Sequence, residues 1–129
     1  MSPLITGYLI VFFGGGIGAA LRHFVNRSAL ALPDFPYNTL TVNALGCLAM
    51  GLIAGWLTFR GQDASQHLRL FLTTGILGGF TTFSAFSLDT ALLWERGQPS
   101  AAAIYVAANV GLSLIGVFAG LALMRHVLG

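Results

Sequence analysis

The 129-residue chain is 56% hydrophobic and 8% charged, with a mean hydropathy of +0.82. That is far more apolar than an ordinary soluble domain, so the bilayer is its expected solvent. The single cysteine excludes a disulfide framework or thiolate cluster, and six Arg with no Lys and a net charge of +2 leave no footprint for nucleic acid.

No charged side chain falls between Met1 and Arg22, between Asp34 and Arg60, between Arg69 and Asp89, or between Arg96 and Arg125. Each gap holds the roughly 20 apolar residues that cross a hydrocarbon core. The runs are continuous rather than alternating, which is a helix pattern and not a barrel pattern. The expected fold is an all-α membrane protein: one domain over residues 1–129, with transmembrane helices at 4–25, 39–59, 68–95 and 101–125. The first run has no preceding Lys or Arg and no convincing cleavage site, so it is read as a mature helix rather than a signal.

Short loops join the helices, with Pro33 and Pro36 in the first and Gly97 and Pro99 in the third. The N-terminus, second loop and C-terminus then share one face. Arg60, Arg69 and Arg125 lie on it; Arg22, Arg27 and Arg96 lie on the other. Because an Arg and Lys bias sets orientation, a chain without one is expected to insert both ways up. Two oppositely inserted copies would form an antiparallel homodimer about a two-fold axis in the membrane plane, an inverted repeat made from two chains.

Helix one carries Gly14, Gly15, Gly16 and Gly18 ahead of Arg22. Gly14, Gly16 and Ala19 match a dinucleotide fingerprint formally, but that fingerprint has meaning only after a β-strand. Close helix packing explains the glycines, and Arg22 can snorkel to the interface or draw anions toward a pore mouth. In helix two, Asn43 must find polar partners inside the membrane. Its NH2 group either donates to an anion or ties helices together.

Helix three contains three glycines and six hydroxyl side chains between Thr73 and Ser87. A break near Gly78 to Thr82 is the economical reading, since freed backbone groups there need partners in protein or a wet cavity. Its carbonyls could hold a cation; alternatively Gly78 and Gly79 serve close packing. Phe83 and Phe86 share a helical face, and the positive edges of aromatic rings can stabilise an anion without a fixed charge. Ordinary packing is the other reading. In helix four, Tyr105, Asn109 and Ser113 recur every fourth residue as one polar stripe, which either lines a pore or zips to a neighbour. His23, His67 and His126 sit at helix ends, Cys47 reads as a small buried residue, and Asp89 either faces a vestibule or marks the polar end of helix three.

These residues resemble the small dual-topology fluoride channels called Fluc or CrcB. The likeness spans essentially the whole chain, through the glycine run ending at Arg22, the Thr39 to Gly46 run, and above all the long and unusual Gly75 to Phe86 run. The resemblance implies a homodimer with two pores, each lined by both subunits, that passes fluoride passively across the prokaryotic plasma membrane. It makes Phe83 and Phe86 an aromatic box and Asn43 the pore amide. Thr39, Tyr105, Asn109 and Ser113 supply further polar contacts, and Arg22 is the basic residue near the vestibule. Gly78 and Thr81 match positions whose carbonyls hold a structural sodium ion. Asn109 replaces a hydroxyl residue found in many members, and Asp89 replaces a common Glu.

The competing function is a four-helix dual-topology multidrug or cation exporter, which should carry a carboxylate deep in an early helix. Helices one and two carry none. A third reading is a non-transporting structural subunit. Paired carboxylates, metal-ligand clusters and nucleophile–base arrangements are absent from the sequence pattern, so no enzyme is expected.

Overall fold

A computed structural model describes residues 1–28, 34–61 and 63–129. The expected stop at Pro33 lies outside the described residues. The chain is all-helical among those residues, and four of its helical spans are long and apolar enough to cross a membrane. Helix α1 covers Pro3–Asn26 and α2 covers Tyr37–Phe59. The third span, Gln66–Glu95, is composite: α3 (Gln66–Leu70), a π-helical segment (Phe71–Leu77), α4 (Gly78–Phe80) and α5 (Phe83–Glu95). Helix α6 runs Pro99–Leu128.

The ends follow ordinary capping chemistry. Ser2 and Ser65 accept the N–H groups of Ile5 and Leu68, and Pro3 and Pro99 open α1 and α6 where a missing N–H costs nothing. Gly97, at φ +75°, turns the chain between α5 and α6, and the following Gln98 N–H reaches back to the Leu93 carbonyl. Asn38 Nδ2 donates to Asn26 Oδ1 at 2.9 Å, tying the end of α1 to the start of α2.

Packing is pairwise and relies on missing side chains. Helix α2 lies along α6, while α1 lies along the π segment and α4. A Cβ at Gly18 would overlap the Ile76 carbonyl oxygen, and one at Gly79 would overlap that of Gly15. Gly120 likewise faces the backbone of Gly51 and Leu52 across α2 and α6. Without a hydrophobic drive between helices in lipid, such backbone contact is what holds them. Gly14 and Gly18 of α1 are therefore packing positions.

The π segment was not legible as such. Gly78 adopts φ −63°, ψ −36°, inside the helical region, and Gly79 lies within α4. Extended backbone occurs instead at the two following threonines, Thr81 (φ −83°, ψ 157°) and Thr82 (φ −151°, ψ 117°). Gly75 and Gly79 permit the close approach of α1, and the threonines carry the change of direction. A small core of Phe86, Leu93, Ala102 and Tyr105 sits between α5 and α6.

Candidate functional site

Thr82 is held from two sides. Its hydroxyl accepts the Ala85 N–H at 3.1 Å, capping α5. Its own N–H donates to Asn43 Oδ1 at 2.8 Å, and its carbonyl accepts from Asn43 Nδ2 at 3.1 Å. One side chain thus satisfies both backbone groups of an extended residue, as hydrocarbon demands. Asn43 is buried, so these bonds form away from water.

That pairing orients what lies beyond it. The Thr82 peptide fixes which end of the Asn43 amide carries the NH2, and Nδ2 also donates to Asn109 Oδ1 at 2.9 Å. With two hydrogens given to two acceptors, the Asn43 amide is committed to protein. Asn109 must then turn its own NH2 the other way. Among the described residues its Nδ2 is buried with no partner at hydrogen-bond distance, as is the Ser113 Oγ one turn further along α6. Both residues line a cleft of about 270 Å³ together with Asn43, Thr82, Phe83 and Phe86. Both atoms are closed off from solvent behind an apolar cleft wall that carries no charged side chain among the described residues, and buried unpaired amide and hydroxyl donors there suit water or a small anion.

Phe83 and Phe86 stand edge-to-face with centroids 5.4 Å apart. They differ sharply in exposure: Phe86 is 8% exposed and Phe83 is 76% exposed, so Phe83 projects from the cleft wall to the outside of the subunit. The Phe86 ring also packs on Tyr105, which in turn meets the Phe35 ring edge-to-face. Tyr105 is fully buried and its hydroxyl donates to Asp89 Oδ2 at 2.8 Å. Asp89 therefore joins the stripe of α6 rather than simply ending α5. Thr39, one turn before Asn43 on α2, is buried at the same end.

The cleft brings Asn43, Phe83, Phe86, Asn109, Ser113 and Thr81 together; Thr39, Tyr105 and Arg22 do not line it. Arg22 is half-buried near the end of α1. Cys47 is half-buried rather than buried and also lines the cleft, because it follows Asn43 by one helical turn. Thr82 had no assigned role in the sequence. A threonine directly ahead of the helix that starts at Phe83 is a residue type favoured at N-caps, and that is the one local signal for it.

The sodium expectation meets a specific geometry. In an unbroken helix the Gly78 carbonyl would accept from the Thr82 N–H, and the Thr81 carbonyl from the Ala85 N–H. Those donors instead serve Asn43 Oδ1 and Thr82 Oγ1. Both carbonyls are released from the helical ladder, which fits oxygen ligation of a hard cation.

A family model described as "CrcB-like protein, Camphor Resistance (CrcB)" matches residues 9–121. The chain belongs to this CrcB-like family. It is 57% identical to a fluoride-specific ion channel FluC of Rhodopseudomonas palustris (strain BisB5), over 93% of this chain and 98% of that one. Similar relatives are FluC 2 of Nitrobacter hamburgensis, 56% identical over 93% of this chain and 98% of its own, and FluC of Rhizobium etli, 57% identical over 91% and 94%. All three are named as channels, not as enzymes. Family membership and four spanning helices make this CrcB-like chain a multi-pass membrane protein.

Proposed function

We propose that the chain is a fluoride-selective channel that works as an antiparallel homodimer, with each pore built from both subunits. The observation that carries this reading is the pair Asn109 Nδ2 and Ser113 Oγ, unpartnered among the described residues and buried at the wall of a cleft beside the exposed Phe83. Fluoride is small and strongly hydrated, so a selective pore must replace its water with several donors at once. Two donors and a ring edge on one subunit are an incomplete shell. A second copy would complete it.

Depth supports the antiparallel arrangement. Along α6, Tyr105, Asn109 and Ser113 lie about 9, 15 and 21 Å from the helix start, in a helix about 45 Å long. From Leu114 to Met124 no polar side chain follows. One subunit therefore offers a polar column across only half the membrane, and inversion of a second copy supplies the other half. The balanced Arg count, three on each face, favours the insertion of both orientations.

Within this reading Asn109 and Ser113 donate to the ion, Asn43 positions Asn109 and Thr82, and Phe83 and Phe86 present ring edges. Sodium would sit on the Gly78 and Thr81 carbonyls as a fixed structural charge. The exporter reading is not favoured, since α1 and α2 carry no carboxylate. Efflux from liposomes containing the purified chain tests the proposal: fluoride release with chloride retained is expected, and equal release of both, or release of neither, overturns it.

A further inference from the structure

At the membrane boundary shared by the N-terminus and the second loop, two depressions run together between α1 and the third span. They share Pro3, Gly7 and Leu70. The outer one, about 510 Å³, adds Gln66, His67, Arg69 and Thr73. The inner one, about 320 Å³, adds Leu4, Tyr8 and Val11 and no charged side chain. Polarity thus falls along a single trough from a basic end to an apolar end. We infer that this trough is a specific site for an anionic phospholipid.

Position and charge select the ligand. Both α1 and α3 begin at this boundary, and Val11 lies about 12 Å deeper along α1. A molecule seated in the trough keeps its head at the interface and its tail in hydrocarbon. Arg69 Nη2 is anchored on the Gly61 carbonyl at 3.0 Å, which fixes the guanidinium while leaving most of its N–H groups for another acceptor. An ordered, planar donor fork beside His67 matches a phosphodiester. Arg60 and Arg125 share this face, against the one acidic side chain Asp63, so the local field favours an anion. The apolar half excludes free phosphate as the natural occupant. Gly7 keeps the trough open: a Cβ there would only touch Leu70 Cδ2 at 3.6 Å, whereas a longer side chain would fill the space.

The trough belongs to the membrane-embedded chain whatever ion it passes. The delipidated full-length protein in detergent is titrated with phosphatidylglycerol or phosphatidylcholine, and bound lipid is counted by native mass spectrometry. Phosphatidylglycerol should saturate at one molecule per chain and bind at least fivefold more tightly. Arg69→Gln should erase that preference without weakening phosphatidylcholine, and Gly7→Leu should weaken both lipids. Arg125→Gln, on the same face but outside the trough, should leave the preference intact. Should Arg69→Gln fail to fold, His67→Gln is expected to reduce the preference by a smaller factor. Equal affinity for the two lipids, an unchanged preference in the trough variants, or competition by glycerol phosphate alone would overturn the assignment.

Discussion

Asn43 and Thr82, thirty-nine positions apart, pair through two hydrogen bonds of 2.8 and 3.1 Å in which one amide side chain takes the place of a neighbouring strand. This pairing lets the third span carry an extended residue inside the bilayer. It also sets the orientation of Asn109.

Replacing Asn43 by Ala should therefore damage more than one ligand. It strands the Thr82 N–H and carbonyl, at about 1–3 kcal/mol for each unsatisfied group. Fluoride efflux should fall at least tenfold, together with a lower thermal midpoint of the purified protein. Loss of flux with unchanged stability would instead mark Asn43 as a simple ion ligand.

Asn109→Asp separates positioning from donation. The carboxylate still accepts from Asn43 Nδ2 but puts an oxygen where the unpartnered NH2 stood. Flux should drop at least tenfold with normal elution on size exclusion, while Asn109→Ser, which restores a hydroxyl donor, should retain measurable flux. Wild-type efflux in the aspartate variant would exclude Asn109 from the ion's path.

The α1 glycines divide into contact and non-contact positions. Gly18→Ala pushes a methyl into the Ile76 carbonyl, and overpacking of that kind costs about 1–3 kcal/mol. Gly16 has nothing within 4 Å of its added carbon, so Gly16→Ala should be neutral. Thermal unfolding in detergent compares the two.

If the Gly78 and Thr81 carbonyls hold sodium, the ion binds the folded protein and should stabilise it in a concentration-dependent way. Exchange of NaCl for choline chloride should lower the thermal midpoint, reversibly on adding sodium back. An unchanged midpoint would remove the ion from the account.

The spans were legible because charge spacing alone delimits apolar runs, and Asn43 and the Tyr105, Asn109, Ser113 stripe were legible because a polar group in hydrocarbon must have a reason. Extended backbone is confined to Thr81 and Thr82 within the expected Gly78 to Thr82 stretch. Glycine signals both weak helix and close approach, and only the Gly15 carbonyl against Gly79 shows which applies here. The π segment has no local signal beyond Thr-Thr-Gly, since it depends on α1 packing beside it. How the two amides divide their hydrogen bonds was also hidden, because that follows from the Thr82 backbone, distant in sequence from both.

In the proposed dimer an inverted second copy supplies the missing half of the path. Two copies fused in tandem test it most directly, at fewer than one tandem per liposome. A short soluble linker forces parallel insertion, because the N- and C-termini share a face. A linker containing one added transmembrane helix forces antiparallel insertion. Fluoride efflux is expected from the second fusion and not from the first; equal efflux from both would rule out the antiparallel arrangement.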